Sequence, residues 1–108
     1  MRVLCVAIDA ESLTALRLAT TAAEWELTPG AMNETDALAV IDAERPQALV
    51  AFGPYERLIG LARERFPAMR IVTDRDTPGA SAVAASHEEV RERLRALARP
   101  GGPILEGS

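Results

Sequence analysis

Residues 46–54 read Pro-Gln-Ala-Leu-Val-Ala-Phe-Gly-Pro and contain the best candidate for a central strand. Its centre, Ala48–Phe52, is an uninterrupted apolar run with a turn signal directly after it at Gly53-Pro54. A strand covered on both faces of a parallel sheet reads this way, whereas a half-exposed strand alternates apolar and polar residues. The sequence therefore predicts a central, fully buried strand at 48–52.

Other segments on both sides of this strand also have strand or helix patterns. A continuous apolar run lies at 3–8, an alternating pattern typical of an edge strand lies at 25–28, and a short strand pattern lies at 69–73. Apolar residues at helical spacing predict helices at 12–23, from about 33 to 45, at 55–66, and from Ser86 onward. Strands that alternate with helices indicate the α/β class. We expect a doubly wound, mainly parallel sheet of four or five strands with helices on both faces.

The segment after the fourth predicted strand departs from this alternation of strands and helices. Only the seven residues Asp74–Ala80 separate that strand from the weakly apolar segment 81–85. A parallel crossover ordinarily takes about a dozen residues and contains a helix. The helix between strands four and five is therefore predicted to be missing or shortened. The segment 81–85 is predicted to run antiparallel to strand four or to lie extended at the sheet edge.

The 108 residues are predicted to form one domain at 1–99, followed by a flexible tail or linker at 100–108 that begins Pro-Gly-Gly-Pro. The net charge is −4, and the chain has no lysine. Its twelve basic residues are arginines that mostly alternate with glutamate, which is typical of a solvated helix face. Because clustered basic residues are needed to neutralise phosphates, no direct nucleic-acid binding is expected.

The chain has one cysteine, and no apolar run reaches the roughly 18 residues of a membrane span. We therefore expect a cytoplasmic protein without membrane contact. Cys5 lies inside a predicted strand, which favours a buried structural thiol over a reactive one. His87 is predicted to be an exposed residue at a helix start, and Trp25 to be partly buried rather than a partner anchor.

Four segments together resemble the receiver domain of response regulators. They are Arg2-Val3-Leu4 to Asp9, Ala37-Leu38 with Glu44–Val50, Leu58–Pro67, and Ile71-Val72-Thr73. In order and spacing they match the receiver's first strand, second helix and third strand, third helix, and fourth strand. The resemblance covers about three quarters of the chain. It implies a receiver-like (CheY-like, flavodoxin-like) fold and a role in signal transduction.

The resemblance also implies which residues phosphorylation would need. A receiver has two acidic residues after strand one that help hold Mg²⁺, an Asp after strand three, a Ser or Thr after strand four, and a Lys after strand five. Here the acidic pair is reduced to Asp9, the acceptor position falls on Phe52 or Gly53, and Thr73 remains. No alignment can supply the lysine. The chain is therefore identified as a degenerate pseudo-receiver, with a vestigial pocket at these four residues.

Two readings remain open for the acidic residues Asp9, Asp74 and Asp76. They could converge on a cation at the carboxyl edge of the sheet. Alternatively, Asp9 caps the first helix while the other two are turn residues, and this second reading is preferred. No metal, cofactor or catalytic residue is expected.

The function predicted is a non-catalytic, phosphorylation-independent regulatory module that acts through protein contacts or homodimerisation. In receivers, the side of the domain after strand four commonly forms the dimer or output face. The interaction surface is accordingly predicted to include Asp74, Asp76, Ser81, Val83, Val90 and Leu94. The alternative is a flavodoxin-like domain that binds or converts a small ligand at the carboxyl edge.

Overall fold

The computed structural model describes residues 1–98, so the predicted tail at 100–108 lies outside the described residues. The strands β1 to β5 are Arg2–Ala7, Glu26–Leu27, Ala48–Phe52, Arg70–Thr73 and Ala82–Val83. The helices α1 to α4 are Ala10–Thr20, Glu34–Glu44, Glu56–Arg65 and Val90–Ala98. A short 3₁₀ turn, His87–Glu89, leads into α4.

All five strands are parallel and lie in the order β2-β1-β3-β4-β5. β3 is central, as the apolar run at 48–52 predicts, and it pairs with β1 from Val3↔Ala48 to Ala7↔Phe52. The predicted α/β class, doubly wound sheet and receiver-like element order are confirmed. The carboxyl ends of β1, β3 and β4 meet at one edge, which brings the loops after them together.

Each face of the sheet carries two helices and its own apolar layer. In β1, Leu4 and Val6 face the layer under α2 and α3, while Val3, Cys5 and Ala7 face the layer under α1 and α4. All five side chains are buried. Because both faces are covered, β1 and β3 read as continuous apolar runs rather than as alternating ones.

The link between β4 and β5 contains no helix, as predicted, but β5 is parallel to β4, so the antiparallel alternative is wrong. The reading of this segment as an extended edge strand is correct. β5 has only two residues and pairs only with the last two residues of β4, Val72 and Thr73. Because the link has to run back past only two residues of β4, the eight residues 74–81 are enough to span this distance without a helix.

One side chain of α3 holds this link against the domain. Nε of Arg63 donates to the carbonyl oxygen of Gly79 at 3.0 Å, and Nη2 donates to Oγ of Ser81 at 2.9 Å. Its Nη1 donates to the carbonyl oxygen of Pro67. The Ser81 hydroxyl oxygen also accepts from the backbone N–H of Ile71 in β4 at 3.0 Å. Arg63 thus connects α3, the link and, through Ser81, the sheet edge.

Replacing Arg63 by Met is expected to loosen the link while leaving the rest of the sheet in place. The substitution keeps an apolar stem but removes the three hydrogen bonds, two of them to backbone carbonyls. Hydrogen exchange should therefore accelerate at the amides of Ser81 and Ala84, which bond to the carbonyls of Ile71 and Thr73. The exposed Arg65→Met is the matched control. Unchanged protection at both amides in Arg63→Met would show that the link does not depend on Arg63.

Candidate functional site at the carboxyl edge of the sheet

A cavity of about 240 Å³ opens where β1, β3 and β4 end. Its lining comes from the last residues of β1 and β3, from the loops that follow the three strands, from the first turn of α1 and from the start of the 3₁₀ turn before α4. The lining residues are Ala7, Ile8, Ser12, Phe52, Gly53, Pro54, Asp74, Arg75 and His87. This is the place where parallel α/β folds bind ligands, so the chemistry of these side chains decides what the edge can do.

Two of the four residues predicted for the vestigial pocket line this cavity, and two do not. Phe52 and Gly53 form part of its wall. Asp9 is exposed and serves as the N-cap of α1, where its Oδ1 accepts from the backbone N–H of Ser12 at 2.7 Å. That hydrogen bond is the main reason why the pKa of Asp9 lies below its usual value. Thr73 is fully buried at the end of β4, outside the lining.

Phe52, one of the two residues on which the predicted phosphoacceptor position falls, contacts His87 with its ring. The two ring centroids are 5.0 Å apart, with the planes tilted by 56°. His87 begins the 3₁₀ turn that leads into α4, so its predicted place at a helix start is correct, but it is only partly exposed, so its predicted exposure is wrong. An aromatic pair now covers the end of β3. Neither ring offers the carboxylate oxygen that attacks a phosphoryl group.

Asp74 is bound on both sides, by a backbone amide and by a guanidinium. Its Oδ1 accepts from the N–H of Gly53 at 3.3 Å and from Nε of Arg75 at 3.1 Å, while its Oδ2 accepts from Nη2 of Arg75 at 3.0 Å. Partial burial alone would raise the pKa of Asp74. The hydrogen bonds from Arg75 and Gly53 and the charge of Arg75 outweigh it and lower that pKa. Asp74 is therefore ionised and paired at neutral pH.

The acidic residues at this edge do not fit a divalent cation. Asp9 is used as a helix cap, Asp74 is already paired with Arg75, and Asp76 is exposed. Within residues 1–98, no three side chains among His, Cys, Asp and Glu come close enough to hold a metal ion. The Mg²⁺ that the receiver resemblance implies thus finds no suitable ligand set here.

Sequence reasoning missed six of the nine lining residues, and three of these, Ile8, Arg75 and His87, carry the larger side chains. Arg75 follows Asp74 directly, and an Asp-Arg pair after a strand end is a signal that could have indicated an ion pair. Ile8 is 60% exposed even though it continues the apolar run of β1. Its Cγ2 atom lies beside Gly53, where a β-carbon would approach it to 2.8 Å. The contact between His87 and Phe52 joins residues far apart in sequence and leaves no local pattern.

The predicted interaction surface divides into exposed and buried residues. Asp76 and Ser81 are exposed, Asp74 is partly exposed, and the Val83 side chain on β5 is 38% exposed. Val90 and Leu94 are wholly buried in the layer between α4 and the sheet, so placing them on a contact surface is wrong. Their spacing of four residues marks the inward face of α4, which packs on the face opposite the shortened link.

Trp25, at the start of the β2 edge, is buried as predicted. Its indole N–H donates to the carbonyl oxygen of Thr20 at 2.7 Å, and the guanidinium of Arg95 lies over its ring at 5.8 Å. The ring therefore packs between α1 and α4 and cannot serve as a partner anchor in the folded domain.

None of the described helices has the length and apolarity needed to cross a membrane.

Cys5 is expected to resist alkylation in the native protein. Burial in β1 raises the pKa of its thiol to about 11, so almost no thiolate exists in mildly alkaline buffer. Intact-protein mass spectrometry after iodoacetamide treatment should show no adduct under native conditions and complete reaction in guanidinium chloride. Rapid modification of the native protein would contradict the buried position of Cys5.

Comparison of the whole chain with known proteins gives a result only at the level of structure. No family model matches the sequence, and no curated protein matches it. Solved structures of response-regulator receivers, in contrast, superpose over nearly the whole chain. The fold is therefore established by geometry rather than by sequence identity.

Three of these structures are informative. The isolated receiver domain of RcsB from Salmonella enterica serovar Typhimurium, in its apo form, matches with a TM-score of 0.77 at 15% identity, covering 94% of this chain and 90% of that one. HP1043, an orphan response regulator of H. pylori, matches at 0.73 and 13% identity, covering 92% and 97%. An atypical orphan response regulator, described as revealing a phosphorylation-independent regulatory mechanism, matches at 0.71 and 12%, covering 90% and 94%. At these identities the likeness shows the receiver fold alone.

Proposed function

We propose that this chain is a pseudo-receiver: a regulatory module that works through protein contacts, including contacts with a second copy, without being phosphorylated. The observation that supports the proposal is the end of β3, where Phe52 and Gly53, the two residues on which the predicted acceptor position falls, line the cavity. Neither residue has a side-chain oxygen. The Phe52 ring packs on His87.

The charge at the edge supports the same proposal. A phosphoryl group transferred to protein needs nearby positive charge and a cation to stabilise its oxygens. Among residues 1–98, Arg75 supplies the only guanidinium that lines the cavity, and both of its hydrogen bonds to Asp74 engage that charge. Because the chain has no lysine, no ammonium group can supply this positive charge in place of Arg75.

Exposed apolar side chains supply the contact surface. Ile8, which is 60% exposed, and Met32, which is 44% exposed, both stand at the carboxyl edge. Tyr55 lies between them, because its ring flanks Gly53 beside Ile8 and its hydroxyl donates to the carbonyl oxygen of Met32 at 2.8 Å. Exposed Val83 adds an aliphatic group on β5. Such side chains are suited to protein contacts rather than to catalysis.

The structural neighbours provide a precedent for this type of regulation. One is described as an orphan response regulator and another as working by a phosphorylation-independent mechanism. The proposed module uses the same fold, keeps no catalytic group, and acts in the cytoplasm. Its surface is centred on Ile8, Asp74, Asp76, Ser81 and Val83.

Sedimentation velocity over a wide protein concentration range tests the proposal. We expect reversible self-association that is the same with and without beryllofluoride and Mg²⁺, and that weakens in Ile8→Asp. The matched control is Leu18→Asp, which places the same charge at an aliphatic residue of α1 that is 71% exposed. A change in association on adding beryllofluoride would contradict phosphorylation independence. A strict monomer at every concentration would contradict contact with a second copy.

A further inference from the structure

Acidic side chains collect at the carboxyl edge of the sheet, because each of the four helices follows a strand and begins there. The carboxylates at this edge that make no ion pair among residues 1–98 include those of Glu11, Asp36, Glu56, Asp76 and Glu88. Arg57 and Arg75 also lie at this edge, but each is ion-paired with a carboxylate there. The carboxyl edge is therefore negatively charged.

Two apolar side chains are exposed within this acidic edge. Ile8 and Met32 directly follow Ala7 and Ala31, which are joined by a hydrogen bond from the N–H of Ala7 to the carbonyl oxygen of Ala31 at 3.2 Å. The two side chains thus belong to one surface, with Tyr55 between them. Exposed apolar groups with a charged rim are typical of a protein contact surface.

The charge of this surface restricts how a second copy can cover it. A two-fold contact between two carboxyl edges would place the carboxylates of one copy against those of the other. Like charges brought together in an interface are strongly unfavourable. The second copy must therefore present a different face, one that is positively charged and can receive apolar side chains.

The opposite, amino edge of the sheet has such a face, where α2 and α3 end. Arg45 and Arg65 are exposed there and make no ion pair among residues 1–98. A cavity of about 530 Å³ lies between these helix ends and the start of β4. On the side of α2 and α3 its wall consists of Ile41, Phe66 and Met69, and no carboxylate of the described residues lines it. The guanidinium of Arg45 lies over the Phe66 ring at 5.5 Å, so a positive charge stands beside the apolar wall.

The charges at these two helix ends sum to a positive face. The guanidinium groups are those of Arg45, Arg63 and Arg65. The carboxylates opposed to them are Asp42 and Glu64, since Glu44 is ion-paired with Arg2. The amino-edge face thus complements the carboxyl edge in charge, and its recessed apolar wall complements the exposed Ile8.

From these two faces we infer that copies of this chain associate head to tail: the carboxyl edge of one copy, with Ile8 and Met32, packs on the ends of α2 and α3 of the next. The inference rests on the contact with a second copy proposed above and specifies its geometry. The two edges lie at opposite ends of the strands, so a copy that covers one edge leaves the other free. Such a contact is heterologous, and association continues past the dimer.

Sedimentation velocity of the full chain at increasing protein concentration gives the first test. We expect species larger than a dimer at high concentration. Association should weaken about tenfold or more between about 50 mM and about 500 mM NaCl, because salt screens the attraction between the two edges. A contact between two acidic edges would respond in the opposite direction.

Mixing two variants gives the sharper test. Ile8→Arg removes the apolar side chain and places a positive charge opposite the arginines, whereas Arg45→Glu reverses the charge of the amino-edge face. Each variant alone should associate at least about tenfold more weakly than the wild-type chain. Their equimolar mixture should form a one-to-one heterodimer and stop there, because each variant keeps one working face.

Two further variants complete this design. Arg65→Glu is a second amino-edge variant and should behave like Arg45→Glu, so the test does not depend on one substitution. Arg91→Glu makes the same change of charge at an exposed arginine of α4, on the other face of the sheet. It is the matched control and should associate like the wild-type chain.

Several results would overturn the inference. If Arg45→Glu and Arg65→Glu both associate like the wild-type chain, the amino edge is not in the contact, and the pseudo-receiver proposal still stands. A wild-type chain that stops at a dimer, a mixture that associates no better than its components, or association that strengthens with salt would overturn the head-to-tail geometry in the same way. A wild-type chain that is monomeric at every concentration would overturn both this geometry and the proposed contact with a second copy.

Discussion

Replacing Leu94 by Ala is expected to lower the free energy of unfolding by about 3 kcal/mol, because the side chain is wholly buried and its removal leaves a cavity between α4 and the sheet. In a domain of this size the midpoint of thermal unfolding should fall by more than about 10 °C. Urea denaturation monitored by circular dichroism gives the free energy directly.

The matched control is the same change at Leu18, which is 71% exposed on α1. Leu18→Ala should change the free energy of unfolding by less than about 0.5 kcal/mol. A Leu94→Ala protein as stable as the Leu18→Ala protein would mean that Leu94 is not part of the core. That result would support the sequence-based prediction that Leu94 lies on the contact surface.

Gly53→Ala is expected to destabilise the domain by about 3 kcal/mol, through backbone strain and steric overlap together. Gly53 has φ 136°, a conformation that residues with a side chain rarely adopt. A β-carbon there would lie 2.8 Å from Cγ2 of Ile8 and 2.9 Å from Cε2 of Tyr55. Ile8 is exposed and can move, but the Tyr55 ring is tied to Met32 through its hydroxyl.

Gly60→Ala gives the opposite result and serves as the control for Gly53→Ala. Gly60 lies inside α3, and a β-carbon built there meets nothing within 4 Å. Alanine is the better helix former, so this variant should be more stable by about 0.5–1 kcal/mol. If both glycine variants changed stability equally, the conformation of Gly53 would not be the constraint described. If the conformation of Gly53 is the constraint, Gly53→Asp carries the same strain, so this substitution alone cannot restore an acidic phosphoacceptor at position 53.

The parts of the fold that sequence predicts are those whose residues carry the information locally. The apolar runs of β1 and β3 follow from burial on both faces, and Asn33, a residue type that is preferred as a helix N-cap, caps α2. The direction of β5 could not be predicted, because its two residues hold too little pattern and the usual crossover length does not apply to so short a strand. Its parallel pairing depends on contacts made by Ser81 and Ala84 with β4.

For the candidate site, the sequence predicts which phosphorylation residues are missing but not which contacts are found at the site instead. The absence of lysine and of an acidic residue at the end of β3 can be read from the sequence. The contact of His87 with Phe52 and the engagement of Asp74 with Gly53 join residues that only the folded chain brings together. The placing of Val90 and Leu94 on the surface was wrong because both side chains lie on the inward face of α4, which packs against the sheet.

We expect this chain to have the receiver fold without being phosphorylated. Incubation of the protein with acetyl phosphate and Mg²⁺, followed by intact-protein mass spectrometry, measures whether phosphorylation occurs. A receiver domain that keeps its Asp and Lys should be run in parallel as the positive control. The control should gain the mass of one phosphoryl group, and this chain should gain none. A hydroxylamine-labile phosphoryl adduct on this chain, mapped to any of its aspartates, would show that the chain is phosphorylated as a receiver is.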